Sequence, residues 1–220
     1  MPEESMTANS RVVLITPTNQ VKELQTILLD RRTEHSDFVF YADRLMRLVV
    51  EEALNELPVT QVTVTTPTHC KYKGLSFARG NCGVSLCRSG EAMEIALRQC
   101  ARSIRICKML IGEEQKVFIL NNIHNLYLIE VLYARFTNDM SNRRVLLLYP
   151  ILSTGQTVLR AISALMESNV LEENIYLVTL FAHPNSVVRI SERYPLVTIV
   201  ASKTSKALPV NFAMKYFGTE

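Results

Sequence analysis

Residues 144–157 read Arg-Val-Leu-Leu-Leu-Tyr-Pro-Ile-Leu-Ser-Thr-Gly-Gln-Thr, a nearly continuous apolar run that ends in a small, polar, glycine-bearing loop. An apolar run of this length without alternation is the pattern of a strand covered on both faces, as in a parallel sheet between helical layers. Immediately after it, Val158, Ile162, Leu165 and Met166 recur at helical spacing up to Ser168. Strand, tight loop and helix start therefore follow one another. At such a junction the first backbone N–H groups of the helix have no internal partner and the helix dipole favours negative charge, which suits a phosphate. Ser153 and Thr154 are also ordinary helix caps, so the pattern alone leaves both readings open. No Gly-Lys-Ser/Thr follows, so this is not a Walker loop.

At 220 residues and 48% hydrophobic, the chain has enough apolar material for one full core. A single domain over residues 21–220 is expected, preceded by a disordered tail over 1–20, since Met1–Ser10 is polar and lacks the apolar stretch of a secretory signal. The net charge of +3 is mild. With no Lys/Arg-rich run and no interleaved aromatics, it argues against nucleic acid or a lipid surface as partner and leaves phosphorylated small molecules open. Five cysteines, Cys70, Cys82, Cys87, Cys100 and Cys107, lie in apolar patterns and suit reduced thiols better than a disulfide framework. No close Cys-x-x-Cys pair suggests zinc. A cytoplasmic chain is expected, with the nucleus also open.

In chain order, Lys22–Arg32 and Asp37–Leu57 read as helices, the second with Phe40, Leu45, Leu48, Val49 and Leu54 as its apolar side and Asp43, Arg44 and Arg47 as a solvated one. Strands are predicted at Val62–Thr66, Tyr72–Phe77, Cys82–Cys87 and Ser103–Ile111. Arg88 follows a buried strand and precedes a helix running to Cys100, with Ser89 as its expected N-cap. That is where open α/β sheets bind ligands, although an ion pair with Glu91 or Glu94 would also explain the arginine. Residues 117–129 carry no charge and are too short to span a membrane, so they read as a protruding hairpin that packs on a partner chain. Strand, helix and strand then follow at Asn174–Leu180, Pro184–Tyr194 and Val197–Ala201. The alternation predicts an α/β fold with a doubly wound, mostly parallel sheet, its ligand at the carboxyl ends beside Arg88 and the Ser153–Thr157 loop.

Five separate stretches resemble one family in order: Val64–Thr68, Cys82–Ser85 with Arg88–Glu94, Arg102–Ile106, Tyr149–Thr157 and Tyr216–Thr219. Together they are similar to uracil phosphoribosyltransferases, and Tyr-Pro-Ile-Leu-Ser-Thr-Gly with Lys-Tyr-Phe-Gly-Thr resembles the animal homologues of that family. The resemblance implies a type I phosphoribosyltransferase-like fold. It also implies transfer of a ribosyl phosphate from phosphoribosyl pyrophosphate to uracil in pyrimidine salvage, with Mg²⁺ carried on the pyrophosphate. Arg88 then matches the pyrophosphate-contacting arginine. Tyr149, Pro150, Ile151, Leu152, Ser153, Thr154, Gly155, Gln156 and Thr157 match the stretch that holds ribose and 5′-phosphate. Arg44, Arg79, Gly80, Asn81, Arg105 and Arg143 match the positions that bind guanosine triphosphate as an effector in regulated members. His35 stands where that set usually has another arginine. A homo-oligomer is also implied.

The departures from the family bear on activity. Tyr149 replaces the Asp that holds the ribose hydroxyls, and Glu113 falls where a second pyrophosphate-binding arginine is expected. The uracil-recognition stretch reads Val210-Asn211-Phe212-Ala213-Met214 and lacks its acidic residues, with much of the preceding flap missing. Weak or absent transfer is one expectation. A non-catalytic protein on the same fold, binding a nucleotide or a partner chain, is the other.

Overall fold

The computed structural model describes residues 11–116 and 126–219. An eight-stranded sheet has the order β1 (Val12–Leu14), β10 (Thr198–Thr204), β9 (Ile175–Ala182), β7 (Arg144–Leu148), β4 (Asn81–Cys87), β5 (Arg105–Lys116) and β6 (Leu126–Arg135). A short strand, β8 (Ile151–Leu152), pairs with β9 off this path. Each pairing is parallel except β5 with β6.

The uninterrupted apolarity of β7 follows from its position. Leu146 and Leu148 enter a core formed with α1 (Asn19–Leu29), α2 (His35–Asn55) and α3 (Ala92–Cys100). Val145 and Leu147 enter a second core on the other face, with α4 (Gln156–Glu167) and α5 (Pro184–Arg193). All four are fully buried, so neither face of the strand admits a polar side chain.

Several expectations shift. The tail expected over 1–20 contains the edge strand β1, which pairs with Ile199–Ala201, and the first two residues of α1. On α2 the buried stripe is Phe38, Ala42, Leu45, Met46, Val49, Val50, Ala53 and Leu54. Leu45, Val49 and Leu54 of the expected side belong to it, whereas Phe40 and Leu48 are exposed. The two strands expected near 62 and 72 are β2 (Val59–Thr65) and β3 (Lys71–Phe77), paired only with each other in a separate two-stranded sheet. The charge-free stretch expected to form a hairpin lies mostly outside the described residues. The strands flanking it, β5 and β6, are antiparallel and paired from Lys108 with Arg135 to Lys116 with Leu126, with a bulge at Leu132 where the register shifts between Leu110 and Ile111. A further helix, α6 (Phe212–Phe217), packs on α2.

Candidate active site

The site forms where β4 and β7 end side by side. After Cys87, across a cis Cys87–Arg88 peptide, residues Ser89–Glu91 make a single 3-10 turn before α3 begins. Gly90 at the centre of that turn presses against the end of β7, where an added Cβ would overlap the carbonyl oxygen of Leu148. Only glycine fits so close to backbone.

Ser89 is not the expected N-cap, since no side chain caps the turn or α3. The acidic residues of the turn look elsewhere. Lys108 on β5 takes up Glu91 as a hydrogen-bonded ion pair and lies 3.4 Å from Glu94. Glu94 also accepts the hydroxyl of buried Ser85 at 2.6 Å. Arg88 therefore forms neither of the ion pairs that the sequence left open. Instead it donates to the Thr219 hydroxyl at 2.6 Å, and its guanidinium lies 5.4 Å from the centre of the Phe217 ring.

The predicted single strand over 144–152 is broken at Tyr149–Pro150, because proline has no N–H to continue the ladder. The Pro150 carbonyl is not wasted: it accepts from the Leu180 amide at 2.8 Å and the buried Thr179 hydroxyl at 3.1 Å. β8 then resumes pairing, and Gly155, with φ +81°, opens α4 in the left-handed conformation. Thr154 Oγ1 receives the Gln156 amide only at 3.4 Å, long for a hydrogen bond, so the capping role is weak. The loop is secured by its carbonyls. Ser186 donates its hydroxyl to the Ser153 carbonyl, and Arg189 donates to the Thr154 carbonyl at 3.0 Å.

The stretch 210–212 closes the third side. Phe212 is buried, 5.4 Å from the Phe38 ring and stacked on Tyr216 at 5.7 Å, while Tyr216 donates to Asp43 at 2.7 Å. Asp43 thus leaves the solvated face assigned to it from sequence. A cavity of about 260 Å³ lies between these three stretches, lined by Ser89, by Tyr149, Ile151 and Ser153, and by Val210, Phe212 and Ala213. Three stretches far apart in sequence meet there.

The cationic set divides. Arg79, Gly80, Asn81, Arg105 and Arg143 gather at the amino ends of β4, β5 and β7, the sheet edge opposite the cavity. Arg44 lies on α2, its guanidinium 5.9 Å from the ring centres of Phe40 and Tyr41. His35 donates from Nδ1 to the Lys215 carbonyl at 2.7 Å and so anchors α6. Asp139, which no sequence pattern singled out, accepts from Arg143 Nε at 2.9 Å and lies 4.0 Å from Arg105. Hydrogen bonding from Arg143 holds that carboxyl well below the usual carboxylate range.

Sequence reasoning also missed Ser186, Arg189 and Lys108. The first two were readable, three residues apart on one helix face and next in sequence to a buried strand. Lys108 sits inside an apolar strand and gave no signal of its partners. Glu113 lies on β5, paired in register with Ile129.

The mostly parallel sheet, its helical layers and a cavity at the carboxyl edge define a type I phosphoribosyltransferase fold. A protein from Aquifex aeolicus, AQ2163, superposes with a TM-score of 0.73 over 95% of this chain and 99% of that one at 16% identity. Adenine phosphoribosyltransferase from Trypanosoma brucei superposes with a TM-score of 0.55 over 90% and 85% at 10% identity. The sequence profile described as Uracil phosphoribosyltransferase matches residues 15–215, and the chain belongs to that family. It is 48% identical to the uracil phosphoribosyltransferase homolog of Danio rerio, covering 92% of this chain and 75% of that protein. It is 39% identical to the uracil phosphoribosyltransferase of Dictyostelium discoideum, covering 98% and 100%.

Proposed function

We propose that this chain binds phosphoribosyl pyrophosphate across the carboxyl edge of the sheet and transfers its ribosyl phosphate to uracil slowly. The observation that carries the reading is the shared cavity: the turn after Arg88, the Tyr149–Ser153 stretch and Val210–Ala213 face one space. In such a transfer the bond from the sugar C1′ to pyrophosphate breaks, a bond to a ring nitrogen of the base forms, and that nitrogen loses its proton. The transition state resembles a ribosyl cation, so the protein contributes mainly by positioning and by neutralising the leaving group.

Arg88 receives the pyrophosphate, and the amides of Ser153–Thr157 receive the 5′-phosphate. With the carbonyls of Ser153 and Thr154 engaged by α5, the bracing of the loop draws on its amides only in the long contact from Gln156 to Thr154 Oγ1. Mg²⁺ would arrive on the pyrophosphate oxygens, since among the described residues no three acidic, His or Cys side chains cluster to hold it. The rate is limited by two contacts. Tyr149 offers the ribose a neutral phenol in place of a carboxylate, and Val210 is 74% exposed and brings no polar group to the base.

The same reading includes a guanosine triphosphate effector at the Arg79–Asn81, Arg105 and Arg143 edge, where Asp139 must be displaced or repelled by the triphosphate. It includes a homo-oligomer, supported by the exposed Val64, Tyr72, Leu75 and Phe77 on the two-stranded sheet. The five free thiols suit a reducing compartment, and we place the chain in the cytoplasm.

Calorimetric titration with phosphoribosyl pyrophosphate and Mg²⁺, followed by uracil, tests the reading. Binding of the first with weak binding of the second is expected. No binding of phosphoribosyl pyrophosphate would overturn it and leave the non-catalytic alternative.

A further inference from the structure

The segment Tyr216-Phe217-Gly218-Thr219 is used side chain by side chain, and its uses converge on Arg88. Tyr216 fixes α6 to α2 through Asp43. Gly218, with φ +63°, reverses the chain, and the Thr219 amide then donates back to the Met214 carbonyl at 3.0 Å, closing the helix end. That reversal brings the Thr219 hydroxyl to the Arg88 guanidinium, which lies over the Phe217 ring. His35, bonded to the Lys215 carbonyl, holds the same turn from the other side.

We propose that Phe217 and Thr219 are positioning residues for Arg88, holding its guanidinium ready for a pyrophosphate group before the ligand arrives. The inference rests on the functional reading above and adds to it two residues that touch no substrate. Its physical basis is simple. An arginine side chain has many rotamers, and ordering it in advance lowers the entropy lost on binding. A guanidinium has five N–H donors, of which Thr219 uses one, and Phe217 covers its face, leaving further N–H groups for an anion. The clamp also links the two halves of the site, because α6 lines the base cavity at its amino end through Phe212 and Ala213 and carries Phe217 at the other.

The test is calorimetric titration of the full chain with magnesium pyrophosphate and, separately, with ribose 5-phosphate. Arg88→Gln serves as the reference loss. Thr219→Val is expected to weaken pyrophosphate about tenfold and Phe217→Leu about fivefold, the size of one lost hydrogen bond to a charged group or less. Thr219→Ser, which keeps the hydroxyl, restores parental affinity. Ribose 5-phosphate, held by the Ser153–Thr157 loop, binds all variants equally. Both side chains are exposed, so these variants are expected to unfold at the parental temperature. Parental pyrophosphate affinity in Thr219→Val and Phe217→Leu overturns the inference, as does an equal loss for both ligands. A parent that binds ribose 5-phosphate but no pyrophosphate overturns the role of Arg88 and this inference with it. A parent that binds neither overturns the functional reading as well.

Discussion

Gly90 and Leu148 are in backbone contact, with no room between them for a side chain. Because Gly90 belongs to the turn that follows Arg88 and Leu148 ends the strand that leads to the Ser153–Thr157 loop, this contact sets the spacing of the two parts proposed to bind anions. Gly90→Ala forces overpacking against a carbonyl and is expected to cost about 1–3 kcal/mol of stability. Urea unfolding measures the loss, and pyrophosphate affinity is expected to fall with it. A variant as stable as its parent would show that the turn moves freely.

Gly155 is required for a different reason. Its φ of +81° is strained for any side chain, and an added Cβ would lie 3.2 Å from Cβ of Ser186. Gly155→Val is expected to cost about 1–3 kcal/mol from backbone conformation alone and to abolish ribose 5-phosphate binding. Retained binding in calorimetry would mean that the loop is only a helix cap.

Alkaline pH is expected to weaken the fold. Burial pushes the thiols of Cys82 and Cys100 up to about 12, and burial together with Asp43 raises the Tyr216 phenol above its ordinary range. Each group is kept neutral by the folded state, so the unfolded chain, with thiol and phenol values near about 8.5 and about 10, releases protons first. Stability is complete below the unfolded values and falls as pH rises through them towards the folded ones. Tyr216→Phe is expected to lose about 0.5–1.5 kcal/mol at neutral pH and to flatten the part of the decline above pH ~10. Unfolding midpoints at pH 7 and pH 10.5 for parent and variant check this, and parallel declines would count against it.

How far the fold could be read in advance depended on how local its causes are. β4, β7 and β9 lie inside the sheet, so burial on both faces wrote itself into continuous apolar runs. On α2, Leu45, Val49 and Leu54 were read correctly, but Phe40 and Leu48 are apolar yet exposed, and periodicity cannot tell a core face from an adjoining surface. Arg88 and the Ser153–Gly155 loop were legible because strand ends and helix starts have local signatures. The Thr219 clamp, the Lys108 pairs and Asp139 were not. Each depends on contacts made across many residues, which neither spacing nor composition records.

On the proposed reading, Tyr149→Asp puts a carboxylate beside the ribose, on a residue whose backbone is fixed by the hydrogen bond from its amide to the Val178 carbonyl at 3.1 Å. We expect it to tighten phosphoribosyl pyrophosphate about tenfold, the value of one charged hydrogen bond, without restoring rapid transfer, since the proposed base side of the cavity at Val210, Phe212 and Ala213 is unchanged. Affinity equal to the parent's in calorimetry would place the ribose elsewhere.

On the proposed reading, the anion-binding frame is kept while the ribose and base contacts are reduced. Formation of uridine 5′-monophosphate from labelled uracil, phosphoribosyl pyrophosphate and Mg²⁺ by the unmodified chain tests it most directly. The account predicts turnover well below about 1 s⁻¹ in a protein that still binds phosphoribosyl pyrophosphate; turnover at about 1 s⁻¹ or faster would contradict it and show that other residues hold the sugar and the base.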